Sequence, residues 1–268
     1  MLSKDGEFLF QPIKNLTQFY QLLFIIFITS SYRLHAECKG TPSHKFTPVA
    51  REKVYEGTPF KAGEIAKYEV FFGGVFVGHS EMKVNEPVEY QGMWHRVFEI
   101  HAKTGDWYRY IFRGDDLATS YVFPEHYAAS FFHLKQDESK LFSKRYSLDK
   151  TVKFDHTKCD VFEQAEENKK KVEVNIYDLE PLATDALAAF YQLLGVNYHL
   201  KKLEKFLVYS SKKNWWLEAE PVAIEKIKVK AGSFETFKLK LQTRLGKDLQ
   251  QKGELFMWVA KDHPAAPI

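Results

Sequence analysis

TDALAAFYQLLG, residues 184–195, is a helix pattern set in a chain whose other periodic segments alternate every second residue. Ala186, Leu187, Ala188, Ala189, Phe190, Leu193 and Leu194 cover nearly the whole circumference of a helix with 3.6 residues per turn. A helix with so little polar face has to be enclosed, and strand-like segments flank it on both sides. Thr184 is placed to cap its first turn, Asp185 to meet the positive end of its dipole, and Gly195 to stop it in the left-handed conformation. The expected architecture is mainly β: a curled antiparallel sheet or barrel-like single domain, with one short buried helix at about 185–194 inside it or across its open end.

The strand pattern begins at residue 59. Tyr68, Val70 and Phe72 alternate with Lys67 and Glu69, Gly73 and Gly74 supply a turn, and Phe76 to Val84 returns, which predicts a hairpin. In QGMWHRVFEIHAKT, Trp94, Phe98 and Ile100 fall on one face and His95, Glu99 and His101 on the other. DWYRYIF follows as strand, and RGDD, Arg113 to Asp116, reads as a turn before LATSYVF. HYAASFFHLKQ, KLFSKRYSLD, TVKFD and KKVEVNIYDL continue the short strands up to the helix. EKFLVYS, NWWLEAE, VAIEKIKVKA, FETFKLKLQTR and ELFMWVAKD follow it. This spacing favours antiparallel neighbours over crossover units.

Residues 1–36 have early lysines, the apolar run FYQLLFIIFIT and a polar exit ending in Ala36, the order of a secretory signal peptide. The apolar run is about half the roughly 20 residues that a spanning helix needs. Residues 37–58, rich in proline, glycine and charge without periodicity, read as a linker or flexible arm. Residues 59–268 form the β-rich domain. Export to the periplasm or envelope is the expected localisation. Cys38 follows Glu37 rather than a small residue, which argues against a lipoprotein. An oxidising compartment would allow one intrachain bridge, Cys38 to Cys159.

Composition excludes some function classes. The formal net charge is +3, and removing residues 1–36 takes away three basic and two acidic residues, which leaves +2. That balance carries no nucleic-acid footprint. Nucleophile elbows, phosphate loops and dinucleotide fingerprints are absent, and Gly73, Gly74 and Gly78 lie in a hairpin rather than between a strand and a helix. His95, Glu99 and His101 share a strand face, but residues i and i+4 of a strand lie about 13 Å apart, so His95 and Glu99 cannot share an ion. His156, Cys159 and Asp160 sit in a short loop, and Asp115 and Asp116 diverge as neighbours. No metal or cofactor is expected.

Aromatic residues make up 16% of the chain, enough both to build a core and to line a cleft. Tyr108, Tyr110, Phe190, Trp215 and Trp258 are the candidate ligand-binding residues, with Trp107 and Trp216 as neighbours.

Five segments in order, PFKAGEIAKYEVFFGGVFVGHSEMKV, SYVFPEHYAASFFHL, TDALAAFYQLLG, KVKAGSFETFKLKL and GELFMWVAKDHPAAPI, resemble the bacterial domain-of-unknown-function family 3108. The resemblance covers nearly all of residues 57–268. It implies an exported envelope protein with a curled or barrel-like sheet and a helix before the C-terminal strands, and it carries no activity or catalytic residue. Relatives continue past WVAKDHPAAPI with further strand, so an edge beside Trp258 is expected to be only partly covered.

These readings converge on a non-enzymatic binder of an apolar or amphipathic envelope component, a lipid or a glycan. A protein-interaction module supporting envelope assembly is the alternative. A hydrolase using Asp106, His101 and Glu99 is a third.

Overall fold

The computed structural model describes residues 45–72, 74–140, 145–176, 178–250 and 254–262. Cys38 and the predicted signal peptide lie outside the described residues.

An eight-stranded antiparallel meander forms first, each strand pairing with the next in sequence. Its strands are β1 (Ile65–Phe72), β2 (Val75–Tyr90), β3 (Met93–Thr104), β4 (Phe112–Val122), β5 (Ala129–Lys140), β6 (Tyr146–Asp155), β7 (Asp160–Glu167) and β8 (Lys170–Ile176). The helix α1 (Ala186–Leu194) comes next. Five strands follow: β9 (Glu204–Ser210), β10 (Lys213–Val229), β11 (Gly232–Leu245), β12 (Asp248–Leu249) and β13 (Leu255–Ala260). In this second sheet β10 lies between β9 and β11, and β13 pairs with the far side of β11. Neither sheet closes on itself. The segment around residue 184 links them instead: Ala129 N–H donates to Ala183 O at 3.1 Å, Thr184 N–H to Leu207 O at 2.9 Å, and Tyr209 N–H to Thr184 O at 2.7 Å.

The helix is enclosed, as its sequence demands. It touches β3 and β4 on one side and β9 on the other, which brings together strands from both halves of the chain. Tyr191 stacks on Phe98 at 3.9 Å and meets Phe60 edge-on at 5.4 Å. Its hydroxyl donates to Lys83 O at 2.9 Å. Phe190 is half-buried, against the same core.

Both predicted caps need correction. Asp185, not Thr184, is the N-cap: its carboxylate accepts from the N–H groups of Leu187 and Ala188, each at 2.9 Å, and from the Ser120 hydroxyl at 2.5 Å. Thr184 is instead spent on the bridge to β9. Gly195 has φ −85 and ψ −2, so the helix does not end in the left-handed region, and Tyr198 O–H caps the Leu193 carbonyl at 2.7 Å.

Three further expectations change. Within residues 37–58, the described part from 45 onward is no loose arm: Val54 and Phe60 beside it are buried, and Phe46 stacks on Phe123 at 3.6 Å. Arg96 Nε donates to Val54 O at 2.7 Å. The Tyr55 hydroxyl donates to Asn85 O at 2.8 Å and accepts from Val97 N–H at 3.0 Å, where β2 bulges between Asn85 and Val88. Proline, glycine and charge disguised a segment that is anchored by a few aromatic side chains. Second, RGDD lies inside β4, whose exposure alternates along its length, because Gly114, Asp116, Ala118, Ser120 and Val122 all face inward. Third, Tyr108–Tyr110 of DWYRYIF form a 3₁₀ turn rather than strand. NWWLEAE and VAIEKIKVKA merge into β10 across a bulge beside Pro221, a position that tolerates a residue lacking an N–H.

Candidate functional site

The inner face of the meander can be read in rows, because residues directly opposite one another on paired strands point the same way. One row is apolar: Met82, Ile100, Ala118 and Leu134. The next row towards the β1–β2 turn is polar. It runs Tyr68, Ser80, Ala102, Asp116, Gln136 and Leu148 across six strands. Gly114 and Glu138 stand opposite one another one row further out, with Tyr146 beyond them. The bare Gly114 leaves room for Glu138 to lean on Asp116.

Asp116 is fully buried. Burial, reinforced by the neighbouring Glu138 carboxyl, raises it from 3.8 to about 7 despite bonds from Gln136 Nε2 at 3.5 Å and Asp137 N–H at 3.3 Å. The Glu138 carboxyl beside it makes ionising Asp116 costlier, because a neighbouring like charge disfavours the charged form of a group already removed from water. Tyr146 is pushed up to about 12 by burial and by Glu167, Glu138 and Asp116. Such a group can accept a donor, exchange a proton or hold a cation.

Outside this end of the sheet lies an apolar rim. Gly105 N–H bonds Val77 O at 2.8 Å, and a Cβ on Gly105 would sit 2.9 Å from the Phe76 ring, so the β1–β2 turn and the turn after β3 touch. Phe71 packs on Phe76 at 5.9 Å. Around them Val75, Ile111, Trp107 (49% exposed) and Tyr110 (77% exposed) face solvent. Elsewhere the outer face of the meander carries cross-strand pairs, among them the ion pairs Lys67–Glu81 at 3.3 Å and Lys83–Glu99 at 3.6 Å and the hydrogen-bonded pair His101–Asp115 at 2.7 Å.

The five candidate aromatics do not form one cleft. Tyr110 belongs to the rim, and Tyr108 stands beside it, packed by Trp107 at 5.2 Å. Phe190 and Trp215 border the main core, and Trp215 Nε1 donates to Ser210 O at 2.8 Å. Trp258 lies on the outer face of the second sheet. There it donates to Glu225 Oε2 at 2.8 Å, with the Lys238 ammonium 5.3 Å from its ring. The strand parity explains the separation: Met257 next to Trp258 packs on the core, so Trp258 points away.

The proposed acid–base residues are likewise scattered. Asp106 pairs with Arg109 at 3.4 Å, His101 with Asp115, and Glu99 with Lys83 at 3.6 Å. His95 is not an outward polar residue: it is fully buried, its Nδ1 bonded to Met93 O at 2.9 Å, and burial lowers it to about 4. Cys159 is buried and disulfide-bonded.

Sequence reasoning missed Ser80, Gln136 and Glu138, and it set Asp116 aside as a turn residue beside Asp115. The available signal was the run of small or polar residues at every second position of β4, which a turn assignment for RGDD concealed.

The family model described as a protein of unknown function, DUF3108, matches residues 67–268. The chain belongs to the DUF3108 family. That match spans β1 to β13 and therefore the polar row, the rim and the helix. No curated protein matches this DUF3108 chain. Among solved structures it is similar to the β-barrel-like protein of domain of unknown function DUF1849 from Brucella abortus. The two share 8% identity and a TM-score of 0.42, over 71% of this chain and 79% of that one.

Proposed function

We propose that the protein is a non-enzymatic component of the cell envelope that binds the apolar part of a lipid through the rim formed by Phe71, Val75, Trp107, Tyr110 and Ile111. The observation that supports this is the grouping of these side chains at one end of a meander whose outer face carries cross-strand ion pairs elsewhere. Trp and Tyr have the amphipathic rings favoured where an apolar phase meets water. Val75 and Ile111 offer a sugar neither a stacking face nor a hydrogen bond, so the rim suits acyl chains better than a glycan. Arg109 and Lys103 flank the rim and suit an anionic headgroup.

Flotation with vesicles of phosphatidylglycerol and phosphatidylcholine tests this. Protein comprising residues 37–268 should float, and a variant of it with Trp107→Ser, Tyr110→Ser and Ile111→Ser should not. Burying three half-exposed apolar side chains is worth about 3 kcal/mol in total, roughly a hundredfold in partition. Equal flotation of the two forms, or none by either, defeats the reading. Capture of one stoichiometric protein partner through the same rim would replace it with the interaction-module alternative.

A further inference from the structure

We propose that the free edge of β1 pairs with β1 of a second copy of this chain, about a two-fold axis at Tyr68, so that two meanders join into one antiparallel sheet.

β1 ends the first sheet, and among the described residues only β2 pairs with it. The bonds of β2 determine which backbone groups of β1 are left over. Gly63 N–H donates to Val84 O at 2.8 Å and Val84 N–H to Glu64 O at 3.0 Å, whereas Val77 O accepts from Gly105 N–H, on the β3 side, at 2.8 Å. Even-numbered residues of this stretch of β2 therefore bond towards β1, and the ladder is unbroken from Lys83 to Gly78. Their partners Ala66, Tyr68 and Val70 spend both backbone groups on β2. Ile65, Lys67 and Glu69 turn theirs away. The bulge beyond Val70 adds Val77 to β2 and leaves β1 regular, so Phe71 turns its groups outward as well. An edge of this kind is the template on which another strand adds.

The side chains identify the strand that fits. The same four residues lie on the exposed face, where Ile65 is 55% and Phe71 44% exposed, with Lys67 and Glu69 between them. Read outward from Tyr68 in both directions, Lys67 answers Glu69, Ala66 answers Val70 and Ile65 answers Phe71. Antiparallel pairing of two identical strands about Tyr68 therefore sets opposite charges together and apolar side chains together. The hydrogen-bonded pairs of that register are Ile65–Phe71 and Lys67–Glu69, each occurring twice and each exchanging two N–H···O bonds, which uses the outward groups of all four residues. Sliding one copy by two residues would instead set Lys67 against Lys67 or Glu69 against Glu69.

Lys67 already meets Glu81 across β2 at 3.3 Å, and Glu69 meets Lys230 at 2.6 Å. In the dimer Lys67 stands between Glu81 and the second copy's Glu69. A lysine on an edge strand ordinarily guards against pairing. Placed two residues from a glutamate, it repels other basic edges and admits its own copy. Contact along one strand is smaller than a standard interface, so dissociation in roughly the micromolar range is expected. Phe71 is shared with the rim, but Trp107, Tyr110 and Ile111 follow β3, on the far side of β2 from this edge. The proposal does not rest on the lipid reading.

Sedimentation velocity of protein comprising residues 37–268, from about 2 to 200 µM, tests it across the expected range. Monomer should convert to dimer as concentration rises. Lys67→Glu and Glu69→Lys should each weaken the dimer by about tenfold or more, since like charges then face one another twice. An equimolar mixture of the two variants should dimerise at least as well as wild type, because one copy then carries only glutamates at 67 and 69 and the other only lysines. The triple rim variant should dimerise as wild type does, which separates this contact from association through the rim. Monomer at every concentration, a dimer indifferent to both charge reversals, a mixture that stays monomeric, or open-ended oligomers would each overturn the assignment. Vesicle flotation reads none of these quantities, so this proposal and the lipid reading fail separately.

Discussion

Asp185→Ala should cost more stability in acid than in base, the reverse of what a carboxylate cap on a surface helix would do. The wild-type carboxyl is buried, caps α1 through Leu187 and Ala188, and accepts from Ser120. Alanine leaves three donors without a partner, and at about 1–2 kcal/mol each that is roughly 3–6 kcal/mol. Against this stands the cost of burying the charge. Burial raises the group from 3.8 to about 6 in the folded protein, hydrogen bonds notwithstanding. A raised acid contributes stability that is fully present below its unfolded value and is lost as pH rises through the folded one. Two units amount to about 3 kcal/mol. Near pH 4 the alanine variant therefore loses nearly the whole 3–6 kcal/mol. At pH 8 the removal of the buried charge offsets about 3 kcal/mol of that loss.

Asp185→Asn keeps the acceptor for the two N–H groups and can donate to Ser120, so it should match wild type in acid and exceed it by about 2–3 kcal/mol at pH 8. Urea unfolding followed by circular dichroism at pH 4, 6 and 8 measures all three proteins, and differences between variants cancel other titrating groups. An alanine penalty that grows with pH would show that the ionised cap is the stabilising form. The burial argument would then fail.

The other expectations are read from the same kind of measurement or from binding. Gly78→Ala should unfold the protein or cost more than about 3 kcal/mol, because a Cβ there runs into the Lys103 carbonyl oxygen and lies 3.0 Å from Thr104 Cα. Gly195→Ala should stay within about 0.5 kcal/mol of wild type, since its backbone is right-handed and a Cβ meets neighbours only at 3.6 Å. Tyr55→Phe should cost about 2–3 kcal/mol, because the Val97 N–H at the β2 bulge loses its acceptor; a loss below about 0.5 kcal/mol would mean that residues 45–58 are dispensable to the fold. Vesicle flotation should vanish in the triple rim variant.

Local pattern carried much of the fold. The alternation of Tyr68, Val70 and Phe72 before a glycine pair is enough to specify a hairpin, since strand period and turn conformation involve only near neighbours. The apolar girth of 186–194 likewise requires enclosure wherever the helix lies. Register across distant strands was beyond such reasoning. Nothing near Ser80 in sequence indicates Asp116 thirty-six residues on, and only the pairing of β2, β3 and β4 sets the two in one row with Ala102 between them. The scattering of Tyr108, Tyr110, Phe190, Trp215 and Trp258 has the same origin. An aromatic ring serves a core, a rim or a cation equally well, and its use depends on which face of which strand it occupies. Whether RGDD is a turn or strand was also decided from outside the segment, by the backbone partners that β3 and β5 offer it. Side-chain preference is a property of a few adjacent residues, whereas burial and the pairing of charges depend on contacts between residues far apart in the chain, and these exist only once both sheets and the helix have assembled.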